Sequence, residues 1–288
     1  MAVIDAHVHV WSQNLTRYPF APLDGLPEPH DVRSVAELDA DSAGTPIDRV
    51  LLIQPRVYGY DHRYVYAAAE ALPARGRVMP LIDVAGSDPA AALRAHARTS
   101  TTAGFRVIAL GGTDAHRLGS PAANQLWEAG EQLGLPVGFL IDPDWLPLVE
   151  QVAVAHPGLT VIIDHLARCN SRQQTEWTGR LCALTERPNV YLKISAIGAL
   201  SRDRFPHRDM WPLIRSVYSA AGAARLLWGS DWPHTMAFGA YAGSREAISQ
   251  ALAQAPPADL DAIFGTTAAN LFGFDMDITM AGETDGNT

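Results

Sequence analysis

The chain has 288 residues, 48% of them hydrophobic, a formal net charge of −9 and only two cysteines. That length suits one α/β barrel with a single core, the acidic balance argues against a nucleic-acid partner, and two cysteines exclude both a disulfide framework and a cysteine-based zinc site. The opening MAVIDAHVHV lacks the features of a secretory signal, and no apolar run approaches the roughly 20 residues that span a bilayer, so the expectation is a cytoplasmic chain with no membrane partner and with Cys169 and Cys182 reduced.

Eight short apolar runs alternate with stretches of helical periodicity. The first, VIDAHVHV (3–10), sets His7 and His9 on one face of a strand, together with Asp5, and turns Ile4, Ala6 and Val8 the other way. An irregular stretch over 11–34 follows, holding Trp11, Tyr18 and five prolines or glycines from Pro19 to Pro29; loops this long generally carry function. RVLLIQP (49–55) leads through Gln54 to Arg56 and Tyr58, and RVMPLIDV (77–84) precedes a helix opened by Ser87-Asp88-Pro89. GFRVIAL (104–110) directs Arg106 inward, and the next helix opens at Ser120-Pro121 and closes at Gly134. PVGFLID (136–142) is followed by TVIIDHL (160–166), which ends on His165, with Val161 and Ile163 on its face and Arg168 just beyond. VYLKISAI (190–197) points Lys193 and Ser195 inward, and RLLWGSDW (225–232) carries Asp231 and Trp232. A last helix is expected at roughly 258–271. This alternation predicts an α/β fold, a (β/α)8 TIM barrel in one domain (1–274) with a flexible tail (275–288) and its site at the C-terminal ends of the strands. A doubly wound open sheet is the alternative.

Ring closure would lay the eighth strand against the first, about 4.8 Å away. Asp231 then joins His7 and His9, with His165 nearby, as a divalent-metal site; the competing reading is that the imidazoles only hydrogen-bond one another. Lys193, the one lysine in the chain, needs an anion inside a barrel: a substrate group, or Asp5 or Asp231 in a structural pair. Arg106 could hold a substrate carboxylate in two parallel hydrogen bonds, and Arg56 and Arg168 at the entrance favour a small anionic substrate. Gln54 and Tyr58 are expected to hydrogen-bond it, and Trp11, Tyr18 and Trp232 to form an aromatic wall. His116 and His234 read as loop residues.

The ordered set D-A-H-V-H-V-W, R-Y-P-F, I-Q-P-x-x-Y-G, G-F-R, D-H-L, K-I-S and W-G-S-D-W-P, spread over roughly residues 3–273, resembles the amidohydrolase superfamily. It is most similar to the family 2 branch, which holds sugar lactonases, 2-pyrone-4,6-dicarboxylate lactonase and metal-dependent decarboxylases. The resemblance implies that His7, His9 and Asp231 surround the reacting water, that Asp231 is the general base, and that His165 binds a metal or polarises the substrate carbonyl. Two departures stand out: PVGFLID supplies no fifth-strand histidine, and the fourth strand carries Arg106 rather than a bridging lysine. A binuclear centre is therefore not expected; one zinc ion on His7, His9, His165 and Asp231 and a metal-free site stay open alike. The activity expected is hydrolysis of a small carboxylated or sugar-derived lactone, with Asp231 kept ionised by its neighbours, and with His165, Lys193 or a metal stabilising the oxyanion. The alternatives are a metal-dependent, non-oxidative decarboxylase of an aromatic or enol acid and a non-catalytic barrel that binds a small acid. Assembly into a homo-oligomer is left open.

Overall fold

The computed structural model describes residues 2–111 and 115–275; the tail from 276 onward and the side chain of His116 lie outside the described residues. Eight strands are present: β1 Ile4–Val8, β2 Arg49–Ile53, β3 Gly76–Met79, β4 Phe105–Ala109, β5 Val137–Ile141, β6 Val161–Ile163, β7 Val190–Ile194 and β8 Leu226–Trp228. They pair in parallel as β1-β2-β3 and as β4 through β8 in sequence order. Backbone pairing of Val78 with Thr102 and Leu81 with Arg106 joins the two groups on one side, and Val8 pairs with Trp232 on the other. The ring so formed is the expected TIM barrel.

Apolar residues on both faces make these strands, because a parallel sheet is covered on both sides. Val50, Leu52, Val107, Phe139, Val161, Ile163, Leu192, Ile194 and Trp228 belong to the large core shared with the helices. Leu51, Ile53, Met79, Ile162 and Leu227 form the inner cluster, which Phe272 and Phe274 join from the end of the chain. β1 departs from simple alternation. Ile4 and Ala6 belong to the inner cluster but Val8 and Val10 to the outer one, and the pairing with β2 shifts register between Asp5 and Val8. Beside the shift, the Asp5 carboxylate accepts hydrogen bonds from the His7 N–H at 3.0 Å, the Ser230 N–H and the Tyr241 hydroxyl, so backbone groups and Tyr241 hold it rather than the histidine rings.

The helices are α1 Val35–Asp41, α2 Arg63–Glu70, α3 Pro89–His96, α4 Pro121–Leu133, α5 Leu146–Ala155, α6 Gln174–Leu184, α7 Ile197–Leu200, α8 Trp211–Ala221, α9 Tyr241–Ala251, α10 Pro257–Asp261 and α11 Thr267–Phe272. The expected start signals act as read: Asp88 accepts from Ala91 N at 2.8 Å and Ser120 from Ala123 N at 3.1 Å. The predicted final helix is instead α10 and α11 joined by a wide π turn, Ala262–Thr266. In that turn Gly265 presses on the Ala2 carbonyl, where a Cβ would lie 2.1 Å from the oxygen. Among the described residues no helix is long and apolar enough to cross a membrane, and Cys169 and Cys182 are free thiols.

Candidate active site

The seam between β1 and the segment after β8 builds the centre of the site. Asp231 N donates to the His7 carbonyl at 3.0 Å and His9 N donates to the Trp232 carbonyl at 2.8 Å. This contact needs a residue without a side chain in W-G-S-D: a Cβ on Gly229 would stand 2.5 Å from the His7 Cβ. Beyond β8 the chain turns through a left-handed Asp231 (φ 61°), which does not sit on the strand itself.

His165 is placed differently from the expectation. β6 stops at Ile163, and His165, Leu166, Ala167 and Arg168 then take positive φ values of 52°, 51°, 55° and 58° in succession. Left-handed backbone costs non-glycine residues roughly 1–2 kcal/mol each, and such strain gathers at functional sites. The His165 ring is anchored by Ser195, whose hydroxyl lies 2.7 Å from Nδ1, and its centroid is 4.4 Å from that of His7.

The four groups converge on one carboxyl oxygen. Asp231 Oδ1 is 3.7 Å from His7 Nε2, 3.7 Å from His9 Nε2 and 3.8 Å from His165 Nε2. The two Nε2 atoms of His7 and His9 are 3.2 Å apart, and His9 Nδ1 donates to the Ile53 carbonyl at 2.9 Å. Behind His7 lies a residue that strand alternation had turned away from the barrel, Asp164. Lys193 Nζ is 2.9 Å from Asp164 Oδ1, and Arg106 Nε donates to Asp164 Oδ2 at 2.9 Å. The anion partner of Lys193 is thus Asp164, and not Asp5 or Asp231. Asp164 keeps the period of two with Ile162 of the inner cluster, whereas Val161 and Ile163 face the helices; the expectation had these faces reversed because it was anchored on His165, which the left-handed turn brings inward.

Burial governs the charges here. It drives His7 and His9 well below the usual imidazole value and His165 to about 3, the last in spite of the Asp164 carboxylate. Burial would also raise Asp164, but the Lys193 and Arg106 cations outweigh it and hold that carboxyl below its ordinary value. Lys193 is lowered by burial, with Asp164 opposing. Asp231 is pushed up to about 8 by burial, with Arg106 opposing and Asp164 and Asp5 adding to the rise. The expectation that neighbouring imidazoles keep Asp231 ionised at neutral pH is therefore corrected. Neutral rings at 3.7–3.8 Å are beyond hydrogen-bond length and do not replace the water that the carboxylate loses.

A cavity of about 500 Å³ opens over Asp231, lined by His9, Trp11, Arg106, Leu140, His165 and His234 and walled by Leu26–Asp31 and Pro55–Val57. The long stretch after β1 thus forms one side of it. Arg106 is buried, and its terminal nitrogens have no hydrogen-bond partner among the described residues. Arg56 lines the mouth, paired with Asp24 at 2.5 Å, and Trp11 faces inward with its indole N–H on the Asp31 carbonyl at 2.9 Å.

Other expected contacts are not brought to the cavity. Gln54 spends its amide N–H groups on the Gly59 and Asp61 carbonyls, both at 3.0 Å. Tyr58 accepts from Ser12 N at 2.8 Å and packs with Trp11 and Tyr18 in a cluster that supports the loop. Trp232 is fully buried with its indole N–H on Asp41, Arg168 pairs with Asp142 at 2.8 Å, and Lys193 stays behind His7. Of the three aromatic residues expected in a wall, only Trp11 is in place. His234, read as a loop residue, lines the cavity with its ring 5.5 Å from His9. Its position three residues after Asp231 was the signal available.

One ligand atom each from His7, His165 and Asp231 lies within 4.8 Å of the others, so these residues could hold a metal ion. The set fits: two imidazoles and a carboxylate are ordinary ligands of a divalent ion, and a buried carboxyl lacking a cation at hydrogen-bond distance suits one. His9 is not a member of this group, although its Nε2 reaches the same carboxyl oxygen.

The amidohydrolase family model matches residues 4–274. An L-fucono-1,5-lactonase from Burkholderia ambifaria is 28% identical over 235 residues, covering 80% of this chain and 80% of that protein. A 2-pyrone-4,6-dicarboxylate hydrolase from Comamonas testosteroni is 27% identical over 244 residues, covering 80% of this chain and 76% of that protein. The crystal structure of an amidohydrolase from Burkholderia multivorans with bound zinc superposes with a TM-score of 0.79 at 20% identity, over 96% of this chain and all of that one.

Proposed function

This chain belongs to the amidohydrolase family, and from that premise we propose that it hydrolyses a small lactone, sugar-derived or bearing a carboxylate, with water activated by Asp231. The observation that carries the reading is the buried Asp231 carboxyl at the base of a cavity of about 500 Å³, with three imidazole nitrogens 3.7–3.8 Å from one of its oxygens. The relatives at 28% and 27% identity, one a lactonase by name, support the substrate class. In its ionised form Asp231 takes a proton from water as the water oxygen attacks the lactone carbonyl carbon. Burial, which raises this carboxyl to about 8, also makes it a stronger proton acceptor than an ordinary carboxylate. When no ion occupies the site, Ser195 donating to Nδ1 leaves His165 with Nε2–H to offer the developing oxyanion. The ring C–O bond then breaks, and Asp231 returns its proton to the departing oxygen.

Arg106 offers its free terminal nitrogens to a substrate carboxylate, which makes the implied substrate anionic. A divalent ion held by His7, His165 and Asp231, zinc being the candidate, would supply Lewis-acid polarisation of the carbonyl when bound. Turnover of a lactone panel followed by acid release tests the proposal. Asp231→Asn is expected to lose roughly 10²–10⁴-fold in kcat with its circular dichroism unchanged. Near-normal turnover in that variant overturns the base assignment, and carbon dioxide release without lactone opening overturns the reaction class.

A further inference from the structure

We propose that Lys193, braced by Asp164, fixes the tautomer of His7 and so decides whether the imidazole pair is hydrogen-bonded together or free to take a divalent cation. Three contacts carry this. His9 Nδ1 lies 2.9 Å from the Ile53 carbonyl, which only accepts, so the His9 proton is on Nδ1 and its Nε2 is bare. Lys193 Nζ lies 3.4 Å from His7 Nδ1, and an ammonium only donates, so Nδ1 is bare and the His7 proton is on Nε2. The two Nε2 atoms are 3.2 Å apart, a hydrogen bond from His7 to His9. Donors and acceptors therefore run in one direction, from Lys193 through His7 and His9 to Ile53.

The opposite tautomer needs an acceptor for Nδ1–H. The nearest is Asp164 Oδ1 at 3.7 Å, too far to accept and already engaged by Lys193 at 2.9 Å. A histidine that ligates a metal through Nε2 ordinarily gives its other N–H to a carboxylate or a carbonyl. In this site a cation stands where that acceptor belongs. Metal binding at His7 thus requires its proton to move to Nδ1 and Asp164 to replace Lys193 as its partner. Lys193 is a positioning residue: it is fully buried, does not line the cavity and touches His7 and Asp164 behind it. The Lys193–His7–His9 chain of contacts is independent of whether the substrate is a lactone.

A long-range ¹H–¹⁵N spectrum of the metal-free full chain at neutral pH is expected to show His7 protonated at Nε2 and bare at Nδ1. Zinc affinity, measured by competition with a chromophoric chelator, is expected to tighten roughly tenfold or more in Lys193→Met and to stay near wild type in Lys193→Arg, which keeps a donor. Because Lys193→Met leaves Asp164 buried and short of a cation, the double variant Lys193→Met/Asp164→Asn is measured beside it. Its amide oxygen can still accept from Nδ1–H, so the same tightening is expected. A wild-type spectrum with the proton on Nδ1 overturns the proposal whatever the variants do. Unchanged zinc affinity in folded Met variants overturns it as well.

Discussion

His62 shows on a small scale what burial does to titratable groups throughout this barrel. Its Nε2 lies 3.0 Å from the Leu81 carbonyl and 3.1 Å from Leu81 N, and burial, with His96 adding, lowers it from 6.5 to about 4. The folded value lies below the unfolded one, so the unfolded chain binds the proton first as pH falls. Stability from the neutral ring is whole above pH 6.5 and is lost between 6.5 and about 4. Denaturant titrations should show wild type losing up to about 3 kcal/mol more than His62→Gln over that range; parallel pH curves for the two proteins would contradict this. Asp231, raised to about 8, acts in the opposite sense, losing stability as pH climbs through its folded value, which is why a variant difference rather than the wild-type curve isolates His62. Single side chains were legible in the sequence where a strand fixed their direction, as for Arg106 and Lys193. They were illegible where the backbone left the strand: the left-handed turn that carries His165 inward reversed the reading of the sixth run and hid Asp164, and His234 needed the path after Asp231 to become visible.

The elements that hold the site are shorter than the apolar runs that announce them. TVIIDHL contributes a three-residue strand and then a left-handed turn, and RLLWGSDW a three-residue strand and then the turn bearing Asp231. All eight strands were readable because apolar β-branched runs flanked by turn residues leave few alternatives. Their C-terminal limits were not, since positive φ in histidine, alanine or aspartate leaves no mark in composition. Ala196, partly exposed and left-handed at φ 55° just after β7, tests whether this strain costs stability. Ala196→Gly removes the Cβ clash at the expense of a freer unfolded chain, and a net gain of about 0.5–1 kcal/mol is expected. A rise of a few degrees in Tm would register it, and a fall would show that the turn is not strained there.

At the level of the whole molecule the barrel depends on how closely its last strand approaches its first. Gly229→Ala would put a methyl 2.5 Å from the His7 Cβ, against backbone and side-chain root that cannot swing aside. The expected cost is about 1–3 kcal/mol, with turnover falling further than stability because His7 and Asp231 move apart. Equal losses of activity and folded fraction would argue that the seam matters only for folding. The overall architecture was the most legible part of the sequence: eight strand-helix alternations and a polar cluster at the strand ends predict the barrel and the end that bears the site. The register shift in β1 could not be read, because both faces of IDAHV are buried. The two backbone hydrogen bonds of the seam couple the opening segment of the chain to one near its finish. During synthesis, then, a growing polypeptide carries His7, His9 and His165 well before the carboxyl on which they converge, and the proposed chemistry waits until the ribosome has delivered Asp231.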